Sequence, residues 1–168
     1  MNVATQRLRT LNQLGHEDCV AELLQCCACR SWAEAVARAR PFADRQALLA
    51  AAELAWTATG PAEWLEAFAA HPRIGQRKQG SDQSSRWSAQ EQGAAPDSEV
   101  ADRLAACNDA YFEKFGFVFL ICATGKSPGE MLGALEQRLH SDRETELKTA
   151  AAEQAKITAL RLEKYLSQ

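Results

Sequence analysis

At 168 residues the chain has the length of one ordinary domain, with enough apolar side chains for a core without staples. Hydrophobic residues at 46 % and charged residues at 24 % exclude a disordered or fibrous chain. The net charge is −3 and the basic residues are scattered, which argues against a nucleic-acid partner. The chain lacks the run of about 18 apolar residues that a membrane span needs, and "MNVATQRLRTLNQLG" lacks the apolar centre of a signal peptide. No membrane and a cytoplasmic location are therefore the expectation.

The six cysteines, Cys19, Cys26, Cys27, Cys29, Cys107 and Cys122, read as reduced thiols in that compartment. Cys26 and Cys29 form a C-x-x-C, but it has no second copy, and the nearest histidine is His16, ten residues upstream. Buried thiols acting as small hydrophobes are expected, and no metal.

Alanine, leucine, glutamate, glutamine and arginine dominate, with apolar residues at spacings of three and four, so the pattern predicts an all-α fold. It is read as a single compact domain over 1–168, with about seven to nine helices and a short apolar irregular segment in the core. A first helix is expected over Glu17 to Cys27, then a short one opened by a Ser31/Glu34 capping box and ended by Pro41. A third spans Ala43 to Ala58, after which Gly60 suits a left-handed turn and Pro61 the first position of the next helix.

That fourth helix carries Trp64, Phe68 and His71 at spacings of four and three, on one face that should be buried. Pro72 disfavours helical geometry at His71, so the helix should stop there. Burial and a helix C-terminus shift an imidazole in opposite directions, leaving it titrating near neutral pH. Two roles fit: a cap on the last carbonyls, or a general acid or base.

Gly75 to Ser85 read as a polar surface loop, and Ser88 with Glu91 as a capping box. A helix N-terminus there would also offer N–H groups to a polar ligand. Asp97 to Phe115 reads as a long helix, followed by the apolar, glycine-bounded run "FGFVFLICATG". "GKS" at 125–127 resembles the end of a phosphate loop, but the first glycine that motif needs is Leu120; Ser127, Pro128 and Glu130 instead start a helix that runs to about Leu139. Ser141 and Glu144 open the last helix, which runs to Tyr165. On it Arg161 shares the apolar stripe of Leu147, Ala150, Gln154 and Ile157. A cation there needs an anion, either a core carboxylate or an oxygen of a ligand.

Together "FAAHPRIG" (68–75), "SAQEQ" (88–92), "YFEKFGFVFLICATGKS" (111–127) and "EQAKITALRLEKYL" (153–166) resemble the 2-oxo-4-hydroxy-4-carboxy-5-ureidoimidazoline (OHCU) decarboxylases of purine catabolism, over about residues 7–166. The resemblance implies an all-helical, cofactor-free enzyme, usually a homodimer, that turns a ureidoimidazoline formed in urate breakdown into (S)-allantoin and carbon dioxide. It implies His71 as catalytic histidine, and Glu91 of the S-x-x-E-Q run is expected to pair with it in proton transfer. It places substrate contacts at Pro72, at Ser88, Ala89, Gln90, Glu91 and Gln92, largely through backbone at Phe119, Leu120, Ile121, Cys122 and Ala123, and at Arg161. No role is assigned to Arg73. The terminus "YLSQ" differs from the peroxisomal address of some eukaryotic members, in keeping with cytoplasm. The competing readings are a helical partner-binding module with a groove at Trp64, Phe68 and the last helix, and a redox or metal protein built on Cys26 and Cys29.

Overall fold

A computed structural model describes residues 2–76, 80–93 and 95–168. Among the described residues it contains nine α-helices and no strand: α1 (Val3–Gln13), α2 (His16–Cys26), α3 (Arg30–Arg38), α4 (Arg45–Thr57), α5 (Pro61–Ala69), α6 (Gln83–Gln92), α7 (Ser98–Phe115), α8 (Pro128–Arg138) and α9 (Arg143–Leu166). The all-α expectation holds. By contact the chain divides into two compact units, one running up to Ala67 and resuming at Ala155–Gln168, the other Phe68–Gln154.

In the first unit α2 packs on α3, α3 on α4 and α1 on α4. Leu11, Leu23, Trp32, Val36, Leu48 and Leu162 are its buried centre. The Trp32 indole N–H donates to the Ala52 carbonyl at 3.0 Å, so this large ring is buried without an orphaned donor. Helix α1 was not foreseen: only Leu8 and Leu11 are buried on it, too sparse a stripe to announce a helix, and Asn2 caps it through the Thr5 N–H.

Three local expectations in this unit are corrected. Helix α3 opens at Cys29 with no side-chain cap, because Glu34 turns to the Arg30 and Arg38 guanidiniums instead of back to a Ser31 cap. Helix α4 starts after Asp44, whose carboxylate takes the Ala47 N–H at 2.8 Å. Gly60 is not left-handed. Its carbonyl accepts the Trp64 N–H and its own N–H donates to Glu63, so it begins α5 rather than closing α4. All six cysteines are free thiols, and burial pushes Cys27 up to about 12.

In the second unit α7 packs on α8. Asp97 caps α7, and Gly116, at φ 79°, ends it in the left-handed region a side chain would resist. The chain then runs without helix or strand to the Ser127 cap. Phe117 and Phe119 of this stretch pack around the Tyr111 ring at centroid distances of 5.7 and 5.4 Å, and Phe117 meets Phe68 at 5.5 Å. The apolar run is therefore core with neither helix nor strand. Ser127 and Glu130 form the expected capping box with Pro128 in the first turn. The last helix is capped by Asp142, one residue later than expected, because its carboxylate reaches both the N–H and the hydroxyl of Thr145.

Candidate active site

Helix α5 stops at Ala69, two residues before His71. Pro72 lacks an N–H and disfavours α geometry at the residue before it, so the chain leaves the helix through one tight turn, with the His71 N–H on the Phe68 carbonyl at 3.0 Å. The side chains of Trp64, His71 and Pro72 are half-buried, whereas Phe68 is fully buried. His71 Nε2 lies 2.8 Å from Oε1 of Gln154, a residue of α9 that is itself fully buried.

The "SAQEQ" run does not start a helix. It occupies the second half of α6, which opens at Asp82, whose carboxylate accepts the Ser85 N–H at 3.1 Å. Gln83, Ser84 and Ser85 of the expected loop are thus helical, while 77–79 of that loop lie outside the described residues. Ser88 is buried, Ala89, Glu91 and Gln92 are half-buried and Gln90 is exposed. The helix N–H groups near Ser88 are therefore already bonded within α6 and do not form an anion site.

Gln92 has a task of its own: its Oε1 accepts the Gly75 N–H at 3.0 Å and its Nε2 donates to the Gln76 carbonyl at 2.9 Å. It ties the loop that follows His71 onto α6. A cleft of about 60 Å³ lined by Ile74, Gly75, Ala89, Gln92 and Met131 lies along that seam.

The backbone of 119–123 is also engaged. Leu120 gives its carbonyl to Arg138 at 2.7 Å, Cys122 gives its N–H to Glu153 at 2.7 Å and its carbonyl to Lys126 at 3.0 Å. Phe119, Leu120, Ile121, Cys122 and Ala123 are all buried. The Cys122 thiol is pushed up by burial first and then by the Glu153 carboxylate, with Lys126 opposing and Glu91 adding a smaller push. Glu91 and Glu153 therefore act on the same residue, and Glu153 adjoins the glutamine that meets His71.

Arg161 belongs to the first unit and is buried there, as its place on the stripe predicts. Its charge acts on the Cys26 and Cys27 thiols, lowering values that burial raises. Arg73 forms an ion pair with Asp109 and lies over the Phe112 ring at 5.3 Å, an ordinary surface arrangement. Gln154 and Glu153 were not singled out from sequence as site residues. The available signal was an amide in the apolar stripe of the last helix, where burial demands a polar partner.

Comparison with known proteins follows the same path along the chain. The family model described as OHCU decarboxylase matches residues 12–163. A uric acid degradation bifunctional protein from Arabidopsis thaliana is 37% identical over 84% of this chain and 45% of its own length, so the chain spans under half of that relative. A 2-oxo-4-hydroxy-4-carboxy-5-ureidoimidazoline decarboxylase from Halalkalicoccus jeotgali is 32% identical over 80% of this chain and 73% of its own. A crystal structure of OHCU decarboxylase in the presence of (S)-allantoin superposes with a TM-score of 0.77 at 35% identity, over 88% of this chain and 98% of that one.

Proposed function

The chain belongs to the OHCU decarboxylase family, and on that premise we propose that it converts 2-oxo-4-hydroxy-4-carboxy-5-ureidoimidazoline into (S)-allantoin and carbon dioxide. The observation that carries the reading is that the family match runs through residues 12–163 and so contains His71, the 88–92 run, the 119–123 strip and Arg161.

The substrate carries its own electron sink, a carboxylate on a carbon next to a C=N bond. When the C–CO2 bond breaks, its electron pair forms a double bond to the ureido-bearing carbon and the C=N pair moves onto the ring nitrogen, which takes a proton from water, so positioning and proton transfer are what the protein must supply. His71, with Glu91 proposed as its partner, takes the proton of the substrate hydroxyl as that carbon becomes a carbonyl and the double-bond pair shifts to the ureido-bearing carbon. Protonation of the ureido-bearing carbon from one face then sets the stereocentre. Ser88, Gln92, Pro72 and the 119–123 strip shape the pocket, and Arg161 is assigned to the substrate oxygens on the resemblance to the family. The functional unit is a cytoplasmic homodimer, which light scattering on the purified protein tests directly.

The decisive assay generates the intermediate from urate with the two preceding activities and follows (S)-allantoin by circular dichroism. Wild type should form it faster and with greater enantiomeric excess than unassisted decay. His71→Ala and His71→Asn should lose about 100-fold to 10,000-fold in rate, the usual contribution of a positioned acid or base, while keeping the helical far-UV spectrum. Wild-type turnover and stereoselectivity in His71→Ala would remove His71 from the chemistry.

A further inference from the structure

We propose that Gln154 is a positioning residue that fixes the tautomer of His71, with the proton on Nε2 and the lone pair on Nδ1, so that Nδ1 is the nitrogen that works as base. The inference rests on the function proposed above. Gln154 is 0 % exposed and sits in the apolar stripe of α9, a place where an amide is costly unless it is hydrogen-bonded. Its Oε1 is 2.8 Å from His71 Nε2. With its oxygen toward the ring the amide accepts, which puts the N–H on the ring nitrogen facing it, and a neutral imidazole has only one N–H. The other ring nitrogen then carries the basic lone pair.

An amide fixes the tautomer without adding a charge. A carboxylate would also hold the Nε2 proton, but it would add negative charge, favour the imidazolium and raise its pKa. A base must start neutral, and the uncharged amide orients the ring without charging it. The adjacent residue, Glu153, holds the Cys122 N–H at 2.7 Å. One turn of α9 thereby anchors both the histidine ring and the strip assigned to the substrate.

The test is 15N NMR of the protein labelled at histidine, with the His71→Asn spectrum identifying the His71 signals among the three histidines. At pH values where the ring is neutral, wild type should show a protonated, pyrrole-type Nε2 and an unprotonated, pyridine-type Nδ1. Gln154→Leu should populate both tautomers and lose roughly fivefold in kcat with little change in KM, the effect of one hydrogen bond of about 1 kcal/mol. Gln154→Glu should restore the Nε2–H tautomer while moving the acid limb of the rate profile, and the NMR titration of His71, to higher pH. A wild-type Nδ1–H tautomer, an unchanged tautomer in Gln154→Leu, or an unmoved limb in Gln154→Glu would each overturn the proposal. Because the spectra need no turnover, a protein with the Nε2–H tautomer but no decarboxylation would sink the functional reading alone.

Discussion

Glu153 accepts the backbone N–H of Cys122 at 2.7 Å, so a carboxylate on the last helix holds in place a strip of chain that has no helix or strand to support it. A charge-assisted bond of this kind contributes about 1.5–3 kcal/mol. Glu153→Ala should lower unfolding free energy by that amount in urea titrations and raise KM, because the strip loses its anchor. Glu153→Gln, which keeps an acceptor oxygen, should lose less of both.

Gln92 joins α6 to Gly75 and Gln76 through both ends of one amide. Gln92→Leu removes two side chain to backbone bonds, which should cost about 1–2 kcal/mol in total. Amide hydrogen exchange at Ile74, Gly75 and Gln76 should accelerate, and kcat should fall because these residues follow His71 and Pro72 directly. A variant with unchanged exchange at those three amides would show that the loop is held by something else.

The number and type of the helices are more legible in the sequence than their ends. Ser88 and Glu91 do carry the spacing of a capping box, but the same spacing occurs inside a helix, and Asp82 six residues earlier offers a stronger cap. Ser141 loses to Asp142 for the same reason, since two adjacent capping residues compete and the carboxylate makes two bonds. The Ser127 cap with Pro128 behind it and the end of α7 at Phe115 agree with the expected bounds. The stop of α5 just before His71 is legible from Pro72. The partner of His71, Gln154, lies 83 residues away, a relation that periodicity within one helix cannot express.

The buried charges behind the strip form a three-residue network. Tyr111 donates to the fully buried Glu146 at 2.7 Å, Arg138 pairs with the same carboxylate, and the Arg138 guanidinium lies 4.6 Å from the Phe119 ring centre while holding the Leu120 carbonyl. Removing one partner strands the other charge, so Glu146→Ala should cost about 3–5 kcal/mol. Tyr111→Phe, which leaves the ion pair intact, should cost only about 1 kcal/mol. The double variant should fall short of the sum, because both act through one carboxylate; additive losses in urea midpoints would mean the three residues are energetically independent.

Alkaline pH above about 9 should destabilise the protein, and the buried thiols of Cys26 and Cys27 are a main cause. Both are about 1% exposed, and burial is the first cause that raises them, Cys27 from 9.0 to about 12. The sign follows from linkage. A thiol whose folded value is raised contributes no pH dependence below pH 9, where it is protonated in both states. Between about 9 and the folded value only the unfolded chain releases the proton, so stability falls as pH rises, by about 1.4 kcal/mol per pH unit for each thiol. Urea midpoints should therefore be flat from pH 7 to 8.5 and drop steeply by pH 10. Cys27→Ala should remove about one thiol's share of that slope and the Cys26→Ala, Cys27→Ala double variant a second share, leaving the smaller parts of Cys19, Cys107 and Cys122, which burial also raises. Tyr111, raised first by burial and then by its bond to Glu146, adds a further loss above pH 10 in the same direction, which Tyr111→Phe should remove. A slope identical in wild type and the double cysteine variant would show that these thiols reach solvent in the native state.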